Sequence, residues 1–494
     1  MEYTRERALA VAGAGGKLIL TFTNNVRYDF ALTWVAHVRR LQLTNWLVGA
    51  TDKRALDRFT ADGIPTFSMR TNLPETEWDW GSPSFRALGQ HKIELIYKTI
   101  SWNLELVITD VDALVLREPF EFMDRYPSAS FLTTSDHLAN TTGSNQGGLE
   151  DASASSSSFN IGYMFFRKAA LPLVRAWRDS MRADPRRRWD QGEFNALARA
   201  TFPYDSHALT DRGLFWSHNK RVVGGVLPLA LFCGGHNYYV SRLPQRLGEQ
   251  PYSIHTTFQY GGAPGKRHRL REAGVWLDPP EYYNVSLLTF TPAVPDELLH
   301  PAGGMRARGH IELMRFQLRA IRTALALAFS LGRMLVLPPI WCGLDKYWAA
   351  LSEKGVIPGA HAWVLPIRYC PLDHLVNPAE FKPSSAAYVR EYSFLENPRV
   401  PHELRASVVH TAVQIHGGNA EWLRLKSLSK ARVLDVSNLQ AVASDMWERR
   451  AVLPLDKWKA FRHKFARVQG GWCCASRGQV AAGEPRSAGF RLLG

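Results

Sequence analysis

Two short apolar runs, 17–22 (KLILTF) and 45–50 (NWLVGA), flank a stretch at 30–43 with helical character, and this pattern constrains the fold most. It reads as strand, helix, strand, with loops leaving the C-terminal ends of the strands, and its period indicates a parallel sheet. Further strands are expected at 104–109, 129–133 and 161–166, with helices between them at about 84–102 and 169–182. Alternation of this kind indicates an α/β domain covered on both faces. The stretch 143–158, rich in Ser, Gly and Ala, reads as a mobile loop in front of the strand that starts near Phe159.

At 494 residues the chain is longer than one hydrophobic core usually supports, so a second domain is expected. It begins after the Pro-containing stretch 291–301. There Ile311, Met314, Leu318, Ile321, Leu325 and Phe329 follow helical spacing, with Arg315, Arg319 and Arg322 off that stripe and Gly332 placed to end the helix. Residues 334–339 (MLVLPP) then read as a strand. The expected division is a larger α/β domain at 15–290, a smaller C-terminal α/β domain at 300–465, and a disordered tail at 470–494.

The formal charge of +15 raises nucleic acid as a partner, yet most Lys and Arg stand singly in otherwise apolar segments. The denser groups, Arg186-Arg187-Arg188 and the stretch 266–271, lie in short loops, a pattern that argues against nucleic acid and suits a groove for an anionic nucleotide donor. Cys233, Cys342, Cys370, Cys473 and Cys474 form no paired CxxC spacing, which argues against a structural zinc site and leaves one or two disulfides open. Asn140-Thr141-Thr142 and Asn284-Val285-Ser286 are glycosylation sequons suited to a secretory lumen. No window reaches the roughly 18 uninterrupted apolar residues of a membrane span.

The segment 104–119, LELVITDVDALVLREP, runs from a buried apolar strand straight into two carboxylates. In extended chain, residues i and i+2 point the same way, so Asp110 and Asp112 can face one ion together. Hard divalent cations such as Mg2+ or Mn2+ take oxygen ligands, and in nucleotide enzymes phosphates complete their shell. The alternative is a turn carrying two solvated aspartates. In 159–167 (FNIGYMFFR), Asn160 and Gly162 stand at the mouth of a strand, where a glycine admits close approach of a ligand or merely serves a turn. In 189–195 (WDQGEFN), Asp190 and Gln191 open a helix, either presenting polar groups to a sugar or capping it. The stretch 255–269 (HTTFQYGGAPGKRHR) offers His255, a Gly-Gly pair and Lys266; the imidazole is either the third ligand of an ion or a surface residue.

The order strand, DVD, FNxG, DQ, then His with Gly and Lys resembles the GT-A glycosyltransferases, which are Rossmann-like nucleotide-diphospho-sugar transferases. Within them it is similar to glycosyltransferase family 77, closest to the plant and green-algal extensin arabinosyltransferases, on GQHKIELI at 89–96, DVDALVLREP at 110–119 and LVGATD at 47–52. The stretch 331–348, LGRMLVLPPIWCGLDKYW, is similar to a segment that follows the catalytic domain in that subgroup. The resemblance implies a retaining, Mn2+- or Mg2+-dependent transferase. Its donor would be UDP-arabinofuranose and its acceptor arabinosylated hydroxyproline of cell-wall glycoproteins.

By motif position, Asp110, Asp112 and His255 would hold the metal. Asn24, Lys92, Gly262 and Lys266 would hold the nucleotide and diphosphate, and Asn160 with Gly162 and Asp190 would meet donor or acceptor hydroxyls. Gln191 would lie near the reacting carbon. Retention by double displacement needs a carboxylate nucleophile, Asp190 first and Asp136 second; the amide at the corresponding place in the family favours front-side attack. The resemblance also implies a type II membrane protein of the Golgi lumen, with membrane association expected only through an anchor that this sequence does not contain. The rivals are a relative using UDP-xylose or UDP-galactose on a cell-wall polysaccharide, and a catalytically silent carbohydrate-binding protein.

Overall fold

A computed structural model describes residues 2–78, 81–138, 148–152, 159–184, 188–200, 213–344, 369–380, 388–413, 418–437, 439, 454–473, 481, 483 and 487–493. Most of the expected loop at 143–158 lies outside them. The chain forms two compact units, the first built mainly from Met1–Tyr238 and Arg242–Thr257, the second mainly from Phe258–Val356 and His361–Gly494.

The first unit is organised on β1 (Lys17–Thr23), β2 (Trp46–Ala50), β3 (Thr66–Ser68) and β4 (Glu105–Thr109). With β6 (Phe131–Ser135), β7 (Phe159–Phe166), β8 (Leu214–Ser217) and β9 (Val222–Val226), they form an eight-stranded sheet of order β3-β2-β1-β4-β7-β6-β9-β8. Helix Tyr28–Arg40 connects β1 to β2, burying Phe30, Ala31, Trp34, Val35 and Val38 at helical spacing. Helix Pro83–Ser101 precedes β4, with Ser82 capping its start by accepting from Phe85 N at 3.2 Å. Its buried Ile93, Ile96 and Ile100 join Leu18, Leu20, Ile108, Met164 and Trp177 in one core. Each such side chain contributes on the order of 2 kcal/mol of burial.

The sheet is mixed, which corrects the expectation of parallel strands. β1, β2, β3 and β4 run parallel, but β7 lies antiparallel to both β4 and β6, and β8 antiparallel to β9. Every residue of β7 is buried, so its apolar run carries the pattern of a parallel core strand and none of the alternation that marks a half-solvated antiparallel one. A smaller sheet of order β10-β11-β5 joins β5 (Ala113–Val115), β10 (Phe232–Gly234) and β11 (Ser253–His255).

The second unit holds a parallel five-stranded sheet of order β14-β13-β12-β16-β15. Its strands are β12 (Leu287–Thr289), β13 (Met334–Val336), β14 (Val389–Arg390), β15 (Val408–Ala412) and β16 (Val433–Ser437). Helix Ala307–Ser330 presents the expected apolar stripe. Gly332, at φ +68°, turns the chain out of it, and Arg333 N closes on Ala328 O at 2.9 Å. The units do not divide at the Pro-containing stretch 291–301: β12, which precedes it, is the central strand of the second sheet, so residues from Phe258 onward belong there.

The tail expected to be disordered from Gly470 instead carries an antiparallel ribbon of β17 (Gln469–Cys473) and β18 (Ser487–Arg491). A Cβ on Gly470 would stand 2.3 Å from Leu375 O, and Phe490 and Leu492 are buried, so this end is packed into the unit. Cys342 and Cys370 form a disulfide, and Cys233 is a buried thiol. Among the described residues no helix is long and apolar enough to cross a membrane.

Candidate active site

β4 delivers the first carboxylate. Asp110 N continues the ladder to β7 by donating to Gly162 O at 2.8 Å, and Ala113 N donates back to Asp110 O at 2.9 Å. The two aspartates therefore lie on a tight turn between β4 and β5 and not in extended chain, yet they converge as the spacing predicts. His255 ends β11, which pairs antiparallel with β5 so that His255 stands opposite Ala113. One ligand atom from each of Asp110, Asp112 and His255 lies within 4.8 Å of the others.

Each carboxylate is held on one oxygen and turns the other toward His255. Lys92 Nζ donates to Asp110 Oδ1 at 2.8 Å and to Ile161 O at 2.5 Å, while Asp110 Oδ2 lies 3.9 Å from His255 Nε2. Thr256 Oγ1 donates to Asp112 Oδ2 at 3.0 Å, and Asp112 Oδ1 lies 3.7 Å from His255 Nε2. Two carboxylate oxygens and one imidazole nitrogen so converged fit a divalent cation that prefers hard ligands and tolerates one nitrogen. The resemblance assigns Lys92 to the diphosphate; in this structure its ammonium steadies Asp110.

Glycines make the convergence possible. A Cβ on Gly162 would stand 2.1 Å from His255 Cε1, so the glycine leaves room for the imidazole. A Cβ on Gly89 would stand 2.4 Å from Asp190 Oδ2. Asp190 is the first residue of helix Asp190–Ala198, its carbonyl receiving Trp177 Nε1 at 2.9 Å and its Oδ1 accepting from Gln191 N at 2.8 Å. Trp189 occupies the cap position, so the capping alternative for Asp190 does not hold.

Burial is the largest influence on Asp190 and pushes its pKa up to about 6, against the opposing pull of Lys92. A buried carboxyl that titrates near 6 when folded and near 3.8 when unfolded destabilises the ionised protein. Below the lower value both states are protonated and the effect vanishes. As pH rises from about 4 to 6 the unfolded chain releases its proton first, and above 6 the full cost, about 3 kcal/mol, is present. An Asp190→Asn protein, unfolded thermally in EDTA, is therefore expected to match wild type near pH 4 and to gain stability over it as pH rises through 6. A constant difference across that range would refute the burial assignment.

Asp136 is the feature that the sequence underweights. Asn160 Nδ2 donates to its Oδ1 at 2.8 Å and Gln191 Nε2 to its Oδ2 at 3.1 Å, while Asn160 Oδ1 accepts from Gly162 N at 2.8 Å. Desolvation raises the Asp136 pKa, against the two amides and His255. A break in the β6–β7 register between Thr133 and Thr134 sets this arrangement, and both threonine hydroxyls donate to Asn160 O. Bulges commonly re-aim side chains beside active sites. No signal short of the strand pairing reveals it.

Asn24, at the end of β1, gives its amide to structure: Oδ1 accepts from Arg27 N at 3.2 Å and Nδ2 donates to Thr76 O at 2.8 Å. Gly262 and Lys266 belong to the second unit, in helix Gly262–Glu272, whose entry bends through positive φ at Gly261 (+88°) and Gly262 (+58°).

The family of nucleotide-diphospho-sugar transferases matches residues 41–270. Over 488 aligned residues the chain is 34% identical to arabinosyltransferase XEG113 of Arabidopsis thaliana, covering 92% of this chain and 74% of that protein. The chain belongs to the nucleotide-diphospho-sugar transferases of the glycosyltransferase family 77 kind. This transferase is also 24% identical over 135 residues to beta-arabinofuranosyltransferase RAY1 of Arabidopsis thaliana, covering 27% of this chain and 25% of that one. A glycosyltransferase involved in glycosylation of the major capsid of PBCV-1 aligns with 14% identity over 49% of this chain and 92% of that one, at a TM-score of 0.28. As a glycosyltransferase with an α/β nucleotide-diphospho-sugar transferase domain, it takes a nucleotide-sugar donor and a glycan or glycoprotein acceptor.

Proposed function

We propose that this glycosyltransferase moves L-arabinofuranose from UDP-arabinofuranose to arabinosylated hydroxyproline of cell-wall glycoproteins in the Golgi lumen, with retention and with Mn2+ as its ion. The observation that carries the metal chemistry is the convergence of Asp110, Asp112 and His255 within 4.8 Å, each carboxylate braced on its second oxygen. The name of the relative that is 34% identical supports the sugar. A bound divalent ion would neutralise charge on the departing diphosphate.

The chain's own residues do the rest. Lys92 and Thr256 hold Asp110 and Asp112 in place, and Gly162 keeps the His255 ring close to both. Asn160 and Gln191 are oriented through Asp136, and Gln191, its Nε2 engaged there, would have its carbonyl oxygen left for the reacting sugar. By motif position alone, Gly262 and Lys266 would receive the diphosphate. Asp136 is a poor nucleophile with both oxygens accepting from amides, so front-side attack, in which the departing diphosphate takes the acceptor's proton, is the favoured course. Asp190 is the nucleophile if the reaction is a double displacement.

The test offers purified protein UDP-arabinofuranose, UDP-xylose and UDP-galactose with Mn2+ and an arabinosylated hydroxyproline peptide, following UDP release and product mass. Turnover is expected with the arabinose donor, adding one pentose. Consumption of UDP-xylose or UDP-galactose alone would overturn the donor assignment.

A further inference from the structure

The first unit has a second concavity, of about 190 Å³, between helix Pro83–Ser101 and helix Leu171–Ala183. Its floor is apolar, from the buried Ile93 and Met181, and its rim carries Gln90, His91, Glu94, Arg178 and Arg182. The rim groups are planar and already oriented. Arg182 pairs with Glu94, and Arg178 donates to Asp179 at 2.9 Å while its guanidinium lies 3.8 Å over the Tyr97 ring. Burial lowers the His91 pKa, so a neutral imidazole adds one donor and one acceptor.

From this juxtaposition we propose a glycan-binding subsite that seats one neutral sugar residue, separate from the metal centre. Two guanidiniums, one carboxylate, an amide and a neutral imidazole share the lining, which offers donors and acceptors at once to vicinal hydroxyls. The apolar floor suits the C–H face of a sugar ring, as ligand pockets pair apolar lining with a few placed polar groups. Exposed ion pairs such as Arg182 with Glu94 add little to stability, so folding alone does not require this ring of side chains. The inference rests on the acceptor being a glycan, and it explains how a transferase can hold an extended acceptor at more than its reacting end. Lys92 and Gly89, which support the metal ligands and Asp190, stand on the same helix as Gln90, His91 and Glu94.

The test titrates arabinotriose into the full chain in EDTA, observing ligand NMR signals by saturation transfer, for wild type and for Arg178→Ala, Arg182→Ala and Asp112→Ala proteins. Wild type is expected to bind in the millimolar range. Arg178→Ala and Arg182→Ala are expected to weaken binding about tenfold or more, the effect of losing a charge-assisted hydrogen bond, with UDP-sugar hydrolysis unchanged; Asp112→Ala should bind as wild type does. Absence of binding in wild type, or binding lost in Asp112→Ala and untouched by the arginine variants, overturns the subsite. Glycan binding that persists in a protein unable to hydrolyse any UDP-sugar supports the subsite and refutes the donor reading instead.

Discussion

A Gly162→Ala enzyme is expected to fold and to lose about a hundredfold or more in rate of UDP release. The added Cβ would stand 2.1, 2.5 and 2.8 Å from Cε1, Nδ1 and Nε2 of His255, a clash with most of the ring. The backbone has little freedom to retreat, because Gly162 O accepts from Asp110 N and His255 is paired to Ala113 on one side and Gly234 on the other. The imidazole must therefore rotate away from the carboxylates. Overpacking of this kind costs about 1–3 kcal/mol of stability, and thermal unfolding in EDTA measures that part separately from the kinetic loss. Wild-type rate and melting temperature in this variant would show that the ring does not need its place.

Asp112→Ala should lower turnover by about three orders of magnitude, the scale on which a lost metal ligand removes transition-state charge stabilisation. Asp112 is buried and hydrogen-bonded to Thr256, so the substitution removes a buried charge and leaves the Thr256 hydroxyl to rebond. The metal-free protein is expected to stay folded for that reason. Adding Mn2+ and UDP raises the melting temperature of a protein that binds them when native; wild type should show that rise and the variant should not. A variant that is inactive because it is unfolded would fail the melting comparison in EDTA alone.

The part of this site legible in sequence is what lies close along the chain. The run from β4 into Asp110-Val111-Asp112 announces a strand edge with two carboxylates, and the strand-helix-strand pattern at its start announces the α/β fold. What could not be read depends on pairings across long separations. His255, already named by its motif position, reaches Asp112 because β11 pairs with β5, but Thr256, which no motif marks, becomes the hydrogen-bond partner of a residue 144 positions away. Gly162, which in sequence suggests close approach of a ligand or a turn, also makes room for an imidazole of the same chain. Gly89 and Asp136 have roles visible only once helix Asp190–Ala198 and the irregular β6–β7 pairing are placed. The direction of β7 is not legible in sequence because complete burial erases the alternation that would report it.

The central claim is that Asp110, Asp112 and His255 form one ion site that serves a nucleoside diphosphate. Calorimetric titration of UDP, with Mn2+ and then with EDTA, into wild type and Asp112→Ala tests it without requiring turnover or knowledge of the sugar. The expected result is UDP binding that Mn2+ strengthens by about a hundredfold or more in wild type and leaves unchanged in the variant. Equal affinity for UDP with and without the metal in wild type, or full metal enhancement in Asp112→Ala, would contradict it.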